Sequence, residues 1–155
     1  MSIRREVVSK KELRKILRPL SDADWIEMEI EGVQGNNLDW VVLLKSEGEK
    51  IVRIGMTIPQ VSYLIPGMRE LSEDMLFATP YQMIDRLAQA FGVQSTCVVL
   101  DTNLDRVVAG RIELKAVEGK RFYLRMSAGD AIVYATMMSL PMYMTKGLIS
   151  YLSER

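Results

Sequence analysis

The segment Arg125–Met144, RMSAGDAIVYATMMSLPMYM, constrains the fold of this chain more than any other. From Ala131 to Met138 almost every residue is apolar, on all sides of a helical wheel. Such a helix is at home in water only when enclosed on every face, so the other elements must be arranged around it. Ser127 and Asp130, three residues apart, form its start signal. The hydroxyl accepts a backbone N–H at the cap, and the carboxylate meets the positive end of the helix dipole. Pro141 stops the run. The expected central helix therefore carries one conspicuous polar group, Asp130, at its mouth.

The remaining elements follow from local patterns. Ser9-Lys10-Lys11-Glu12 is a capping box ahead of Leu13, Ile16 and Leu17, and Pro19 ends that short helix. Trp25–Glu31 alternates, with Ile26, Met28 and Ile30 on one face and Trp25, Glu27, Glu29 and Glu31 on the other, the pattern of a half-buried strand. The three glutamates read either as a divalent-metal site or as the wet side of a sheet. Gly35-Asn36-Asn37 and Glu47-Gly48-Glu49 are turns between apolar runs, which predicts a three-stranded meander. TIPQVSYLI from Thr57 predicts a short helix with Pro59 in its first turn. Pro66-Gly67 ends that helix, and the loop to Ala78 is polar.

Thr79-Pro80-Tyr81-Gln82 is the clearest helix start: a cap, a proline at the first position and a glutamine closing the box. Met83, Ile84, Leu87, Ala88 and Phe91 form its expected apolar stripe, and Gly92 its C-terminal cap. Strands follow at Val93–Leu100, Val107–Val117 and Phe122–Met126, joined by turns at Asp101-Thr102-Asn103 and Glu118-Gly119-Lys120. Tyr143 and Met144 are expected in a short edge strand, and Thr145 caps a last helix carrying Leu148, Ile149 and Leu152. Strands and helices come in groups, so the fold class is α+β: a mixed, mostly antiparallel sheet packed against the buried central helix and flanking helices. One domain over 1–155 is expected, comprising a basic helical arm over 1–20 and the main unit over 24–150.

Composition narrows the chemistry. The 155 residues include no histidine, which removes histidine-based triads, histidine-ligated zinc and the usual general base near neutral pH. Lys+Arg and Asp+Glu balance at 20 each, so no global field draws the chain to nucleic acid or membrane. The charges are segregated nonetheless. Residues 1–18 carry seven basic side chains against Glu6 and Glu12, and 21–39 carry six acidic ones with no basic residue. These read as solvated faces that partly neutralise each other, or as a basic arm for phosphates. Cys97, the one cysteine, lies in an apolar run and permits no internal disulfide, which fits a reducing compartment. With no apolar run long enough to span a bilayer, a cytoplasmic protein without a membrane partner is expected.

Three stretches in order resemble the bifunctional nuclease domain family. FATPYQMIDRLAQAFGVQSTCVVLDTNLDRVVAGRIEL is similar to its helix–strand–turn–strand unit, and WVVLLKSEGEKIVRIGMTIPQVSYLI to the start of the domain. RMSAGDAIVYATMMSLPMYMTKGLI resembles its main motif, R-P-S-D-A-I followed by an apolar helix, a proline and a short strand. The resemblance covers about residues 24–150 and implies an α+β domain that self-associates, with activity on RNA and DNA. Arg125, Ser127, Asp130, Ala131, Ile132 and Pro141 match the motif. Four departures stand against them. Met126 replaces a proline, Ala128-Gly129 is inserted before the aspartate, Tyr81-Gln82 stands where the family carries His-Asp, and no glutamate occurs among Ile58, Pro59 and Gln60.

Two readings of the site remain open. In the first, Asp130 is catalytic, Arg125 and Ser127 bind phosphate beside the helix N–H groups, and further carboxylates (Asp85, Asp101 or Asp105) help to hold Mg²⁺ or Mn²⁺ over RNA or DNA. In the second, Asp130 caps its helix and is satisfied by backbone N–H groups, no acidic cluster forms, and the domain is a non-catalytic self-associating module. Arg125 either binds phosphate or pairs with Asp130. Met137, Met138, Met142 and Met144, with Tyr134, Tyr143 and Tyr151, suit a core or the surface of a homodimer better than base stacking.

Overall fold

The computed structural model describes residues 24–35, 39–48, 50–65, 79–104 and 107–153. The basic arm over 1–20, its expected helix, the loop from Pro66 to Ala78, and Asp105 lie outside them. The described elements are β1 (Trp25–Gly35), β2 (Trp40–Ser46), β3 (Ile51–Met56), α1 (Ile58–Ser62), α2 (Pro80–Ala90), β4 (Val93–Leu104), β5 (Val107–Ala116), β6 (Arg121–Ser127), α3 (Ala128–Met138), β7 (Met142–Thr145) and α4 (Lys146–Ser153).

The seven strands form one mixed sheet in the order β3-β2-β1-β7-β4-β5-β6. The first three are the expected meander. β4, β5 and β6 form a second antiparallel run, with Gly119 at φ +86 in the tight turn before β6. β7 joins the two runs, antiparallel to β1 and parallel to β4. This corrects the expected edge strand: Met142–Thr145 sits in the middle of the sheet. Its inward methionines, Met142 and Met144, belong to this domain's own core rather than to a subunit surface.

The described helices pack on the face carrying Met28, Leu44, Val98, Leu100, Ile112 and Met144. Over most of its length α3 is enclosed, with Ala131, Ile132, Val133 and Tyr134 fully buried, while Thr136, Met137 and Met138 in its last turn are half-buried. Its close approach to β5 depends on Gly110, where an added Cβ would come within 2.6 Å of Leu100 Cδ2 and 3.2 Å of Ala131 Cβ. The Tyr134 hydroxyl is satisfied by Ser95 and by Asp85 of α2, so the one polar tip inside α3's buried stretch keeps its hydrogen bonds.

Two local expectations change. Asp101-Thr102-Asn103 continues β4 instead of turning, with a bulge between Leu100 and Thr102. The bulged Asp101 stays in the sheet because two guanidinium groups neutralise it, as described below. On α2, Ile84 and Ala88 pack against the core while Met83, Leu87 and Phe91 face outward. The apolar stripe thus spans two faces of one helix.

Candidate functional site

Three helix starts converge on Asp130. Each follows from a local signal. Thr57 caps α1 and Thr79 caps α2, each with a glutamine closing a capping box and a proline in the first turn. Ser127 caps α3, its Oγ accepting the Asp130 N–H at 3.2 Å. Gln60 occupies the third position of α1, Tyr81 the second of α2 and Asp130 the third of α3. Gln60 Nε2 donates to Asp130 Oδ1 at 3.0 Å, and the Tyr81 hydroxyl donates to the same oxygen at 2.8 Å. The positive ends of these helices face a carboxylate that the chain itself supplies.

The orientation of the Gln60 amide is determined at both ends. Its Oε1 accepts the Thr57 N–H at 2.9 Å, while its Nε2 donates to Asp130. A flipped amide would set NH₂ against N–H and oxygen against carboxylate, so only one orientation is consistent with both partners. Gly129 makes room for this arrangement. A Cβ there would overlap the amide, lying 2.7 Å from Gln60 Cδ and 2.8 Å from Nε2. Tyr81 is buried and packs edge-on to Tyr63 at 5.4 Å between ring centroids. Burial first, then its hydrogen bond to Asp130, pushes its hydroxyl pKa well above the usual tyrosine range, so it stays a proton donor. Beside the cluster opens a cavity of about 530 Å³, walled by Trp40, Met56, Thr57, Gln60, Ser127 and Gly129 among others.

Ser127 and Asp130 are brought together as expected, but Arg125 is not with them. Ser127 ends β6 and caps α3, whereas Phe122 and Met126 turn to the helix-covered core, so alternation puts Arg125 on the other face of the sheet. There Nη1 and Nη2 bind the two Asp101 oxygens at 2.8 and 3.2 Å, and Nη1 reaches Thr102 Oγ1 at 3.1 Å. Arg111, fully enclosed, donates to Asp101 at 2.7 Å and lies near the Trp25 and Tyr123 rings. Its Nε sits 2.8 Å from Glu113 Oε1, yet neither atom makes an aligned hydrogen bond there, so that contact is Coulombic. The expected pairing of Arg125 with Asp130 does not occur, and Asp130 is satisfied by side chains rather than by backbone N–H groups.

The donor set does not fit Mg²⁺ or Mn²⁺. Such cations are held by several oxygens, carboxylates foremost. Gln60 turns its oxygen away to Thr57, Tyr81 keeps its proton, and Asp130 is the one carboxylate among these three side chains. Asp101 is on the other face with its arginines, and Asp85 accepts from Gln89 and Tyr134. Among the described residues no three His, Cys, Asp or Glu side chains gather where they could hold a metal, the Glu27–Glu29 face included. From the sequence, Gln60 and Tyr81 stand out as helix-start residues and not as partners of Asp130. Their meeting at Asp130 is a property of the fold.

Fold and cluster together define an α+β domain in which a buried helix offers one carboxylate to two neighbouring helix starts. No model of a known protein family matches the chain. No curated protein matches it either.

Proposed function

We propose that this protein is a bifunctional-nuclease-like domain that has kept the fold and exchanged the hydrolytic centre for a hydrogen-bonded lock, and that it acts as a non-catalytic, self-associating binding module. One observation carries this reading: an amide and a phenol, both proton donors, occupy Asp130. They fall at the places where the resemblance implies a glutamate and a histidine. Metal-assisted phosphodiester hydrolysis needs converging carboxylates to hold the cation and a base to activate water, and this set supplies neither. The described helices include none long and apolar enough to cross a membrane. The lone buried cysteine agrees with a cytoplasmic setting.

The test is an assay of the full chain on RNA and single-stranded DNA with Mg²⁺ or Mn²⁺, beside Asp130→Asn. The expected result is no metal-dependent cleavage above that of the variant. Cleavage lost in Asp130→Asn would overturn the reading. It would restore the alternative, a nuclease in which Asp130 is catalytic and Arg125 and Ser127 hold phosphate.

A further inference from the structure

One row on the outer side of α2, flanked by the exposed Arg86 and Gln89, is apolar without serving the core. Met83, Leu87 and Phe91 succeed one another at four-residue spacing, which places them in one row along the helix. They are 53%, 57% and 81% exposed. Val117, 91% exposed, continues the row at the end of β5, within 3.9 Å of where a Cβ on Gly92 would lie. Phe91 ends the helix, and Gly92 at φ +72 turns the chain into β4, so the ring stands clear of the surface. Directly beside it runs an open groove of about 540 Å³, walled by Gln89, Gly92, Val93, Gln94, Lys115, Ala116 and Val117. A protruding aromatic ring thus adjoins a shallow groove whose wall mixes Val93, Ala116 and Val117 with a polar rim of Gln89, Gln94 and Lys115.

We infer that this face is the self-association surface, with Phe91 of each copy seated in the groove of a second copy across a two-fold axis. This inference rests on the proposed self-associating module and names its interface. A knob and a hole on one patch are what an isologous contact requires, because the same residues then serve both sides. The area is in the right range. A Phe exposed to this degree presents on the order of 150 Å². With Leu87, Met83 and Val117 the patch reaches roughly 500 Å², at the upper end of the range for the largest apolar patch on a monomer, a patch that is often functional. The groove walls bring each side towards the roughly 800 Å² per partner of a standard interface. Met142 and Met144, which from sequence suited either a core or a homodimer surface, lie in the core and take no part in this contact.

Sedimentation velocity on the full chain between about 1 and 100 μM tests this, with far-UV circular dichroism on every variant. The wild type is expected to sediment as a dimer at the upper concentrations. Phe91→Asp is expected to weaken association at least 100-fold without changing the helical signal. Ile58→Asp, which charges a residue 63% exposed on α1, serves as the control and is expected to leave the dimer intact. A dimer unaffected by Phe91→Asp would overturn the interface and leave self-association standing. A wild type that stays monomeric at 100 μM would overturn both.

Discussion

Gly129→Ala tests the lock at Asp130 through a competition of signs. Replacing a helical glycine with alanine normally stabilises a helix by up to about 1 kcal/mol, because glycine has the larger backbone entropy to lose. Here the added methyl meets the Gln60 amide, which must swing away. The movement breaks the bond to Asp130, worth about 1.5–3 kcal/mol with a charged acceptor, and the bond from Thr57 N–H, worth about 1 kcal/mol or less at its exposed position. The losses exceed the gain, for a net destabilisation of about 2 kcal/mol. In a chain of this size that lowers Tm by about 4–8 °C. In a Gln60→Ala background the obstruction is gone, and the same substitution should stabilise by about 0.5–1 kcal/mol. Urea unfolding of the four proteins closes the cycle, with an expected coupling of about 2–3 kcal/mol. Stabilisation by Gly129→Ala in both backgrounds would show that Gln60 is not held where the structure places it.

Three further outcomes follow. Tyr81 has its hydroxyl pKa raised by burial and by Asp130, so the folded state keeps this proton longer than the unfolded chain does. Its contribution is whole at neutral pH and declines as pH climbs from the unfolded tyrosine value of about 10 towards the higher folded value, so the stability gap between wild type and Tyr81→Phe should narrow steadily between about pH 10 and 12. A gap between them that stays constant over this range would contradict the assignment. Arg111→Met leaves Glu113 enclosed without its guanidinium and should cost about 3–5 kcal/mol by chemical denaturation. Most of that loss should be recovered in Arg111→Met/Glu113→Leu, and an equal loss in both would refute the charge argument. Ser139 ends α3 in the left-handed region at φ 53, so Ser139→Gly should raise stability by about 0.5–1 kcal/mol in the same measurement, and a loss would count against that backbone conformation.

The parts of the fold written in short-range chemistry were legible in the sequence. Thr79-Pro80-Tyr81-Gln82 starts α2 residue for residue, and the apolar run after Asp130 is buried from Ala131 to Ala135 because nothing else could shelter it. β7 was misplaced because it is four residues long and its position depends on pairing with β1 and β4, far away in sequence. Asp101-Thr102-Asn103 has turn composition, yet pairing with β5 and the guanidinium groups of Arg111 on β5 and Arg125 on β6 hold it as strand. On α2 the apolar residues fit a 3.6-residue period, but periodicity does not say which part of a wide stripe faces inward. The candidate site has the same limit. Asp130 announced itself at a helix start, whereas Gln60 and Tyr81 lie 70 and 49 residues away and reach it only through the fold.

Isothermal titration of Mn²⁺ into the full chain, beside Asp130→Asn and Gln60→Glu, bears most directly on whether the three helix starts enclose a lock or a cation site. The same featureless heats are expected for wild type and Asp130→Asn. Saturable binding is expected only in Gln60→Glu, where a second carboxylate would stand beside the first. One equivalent of Mn²⁺ bound by the wild type and lost in Asp130→Asn would contradict the lock.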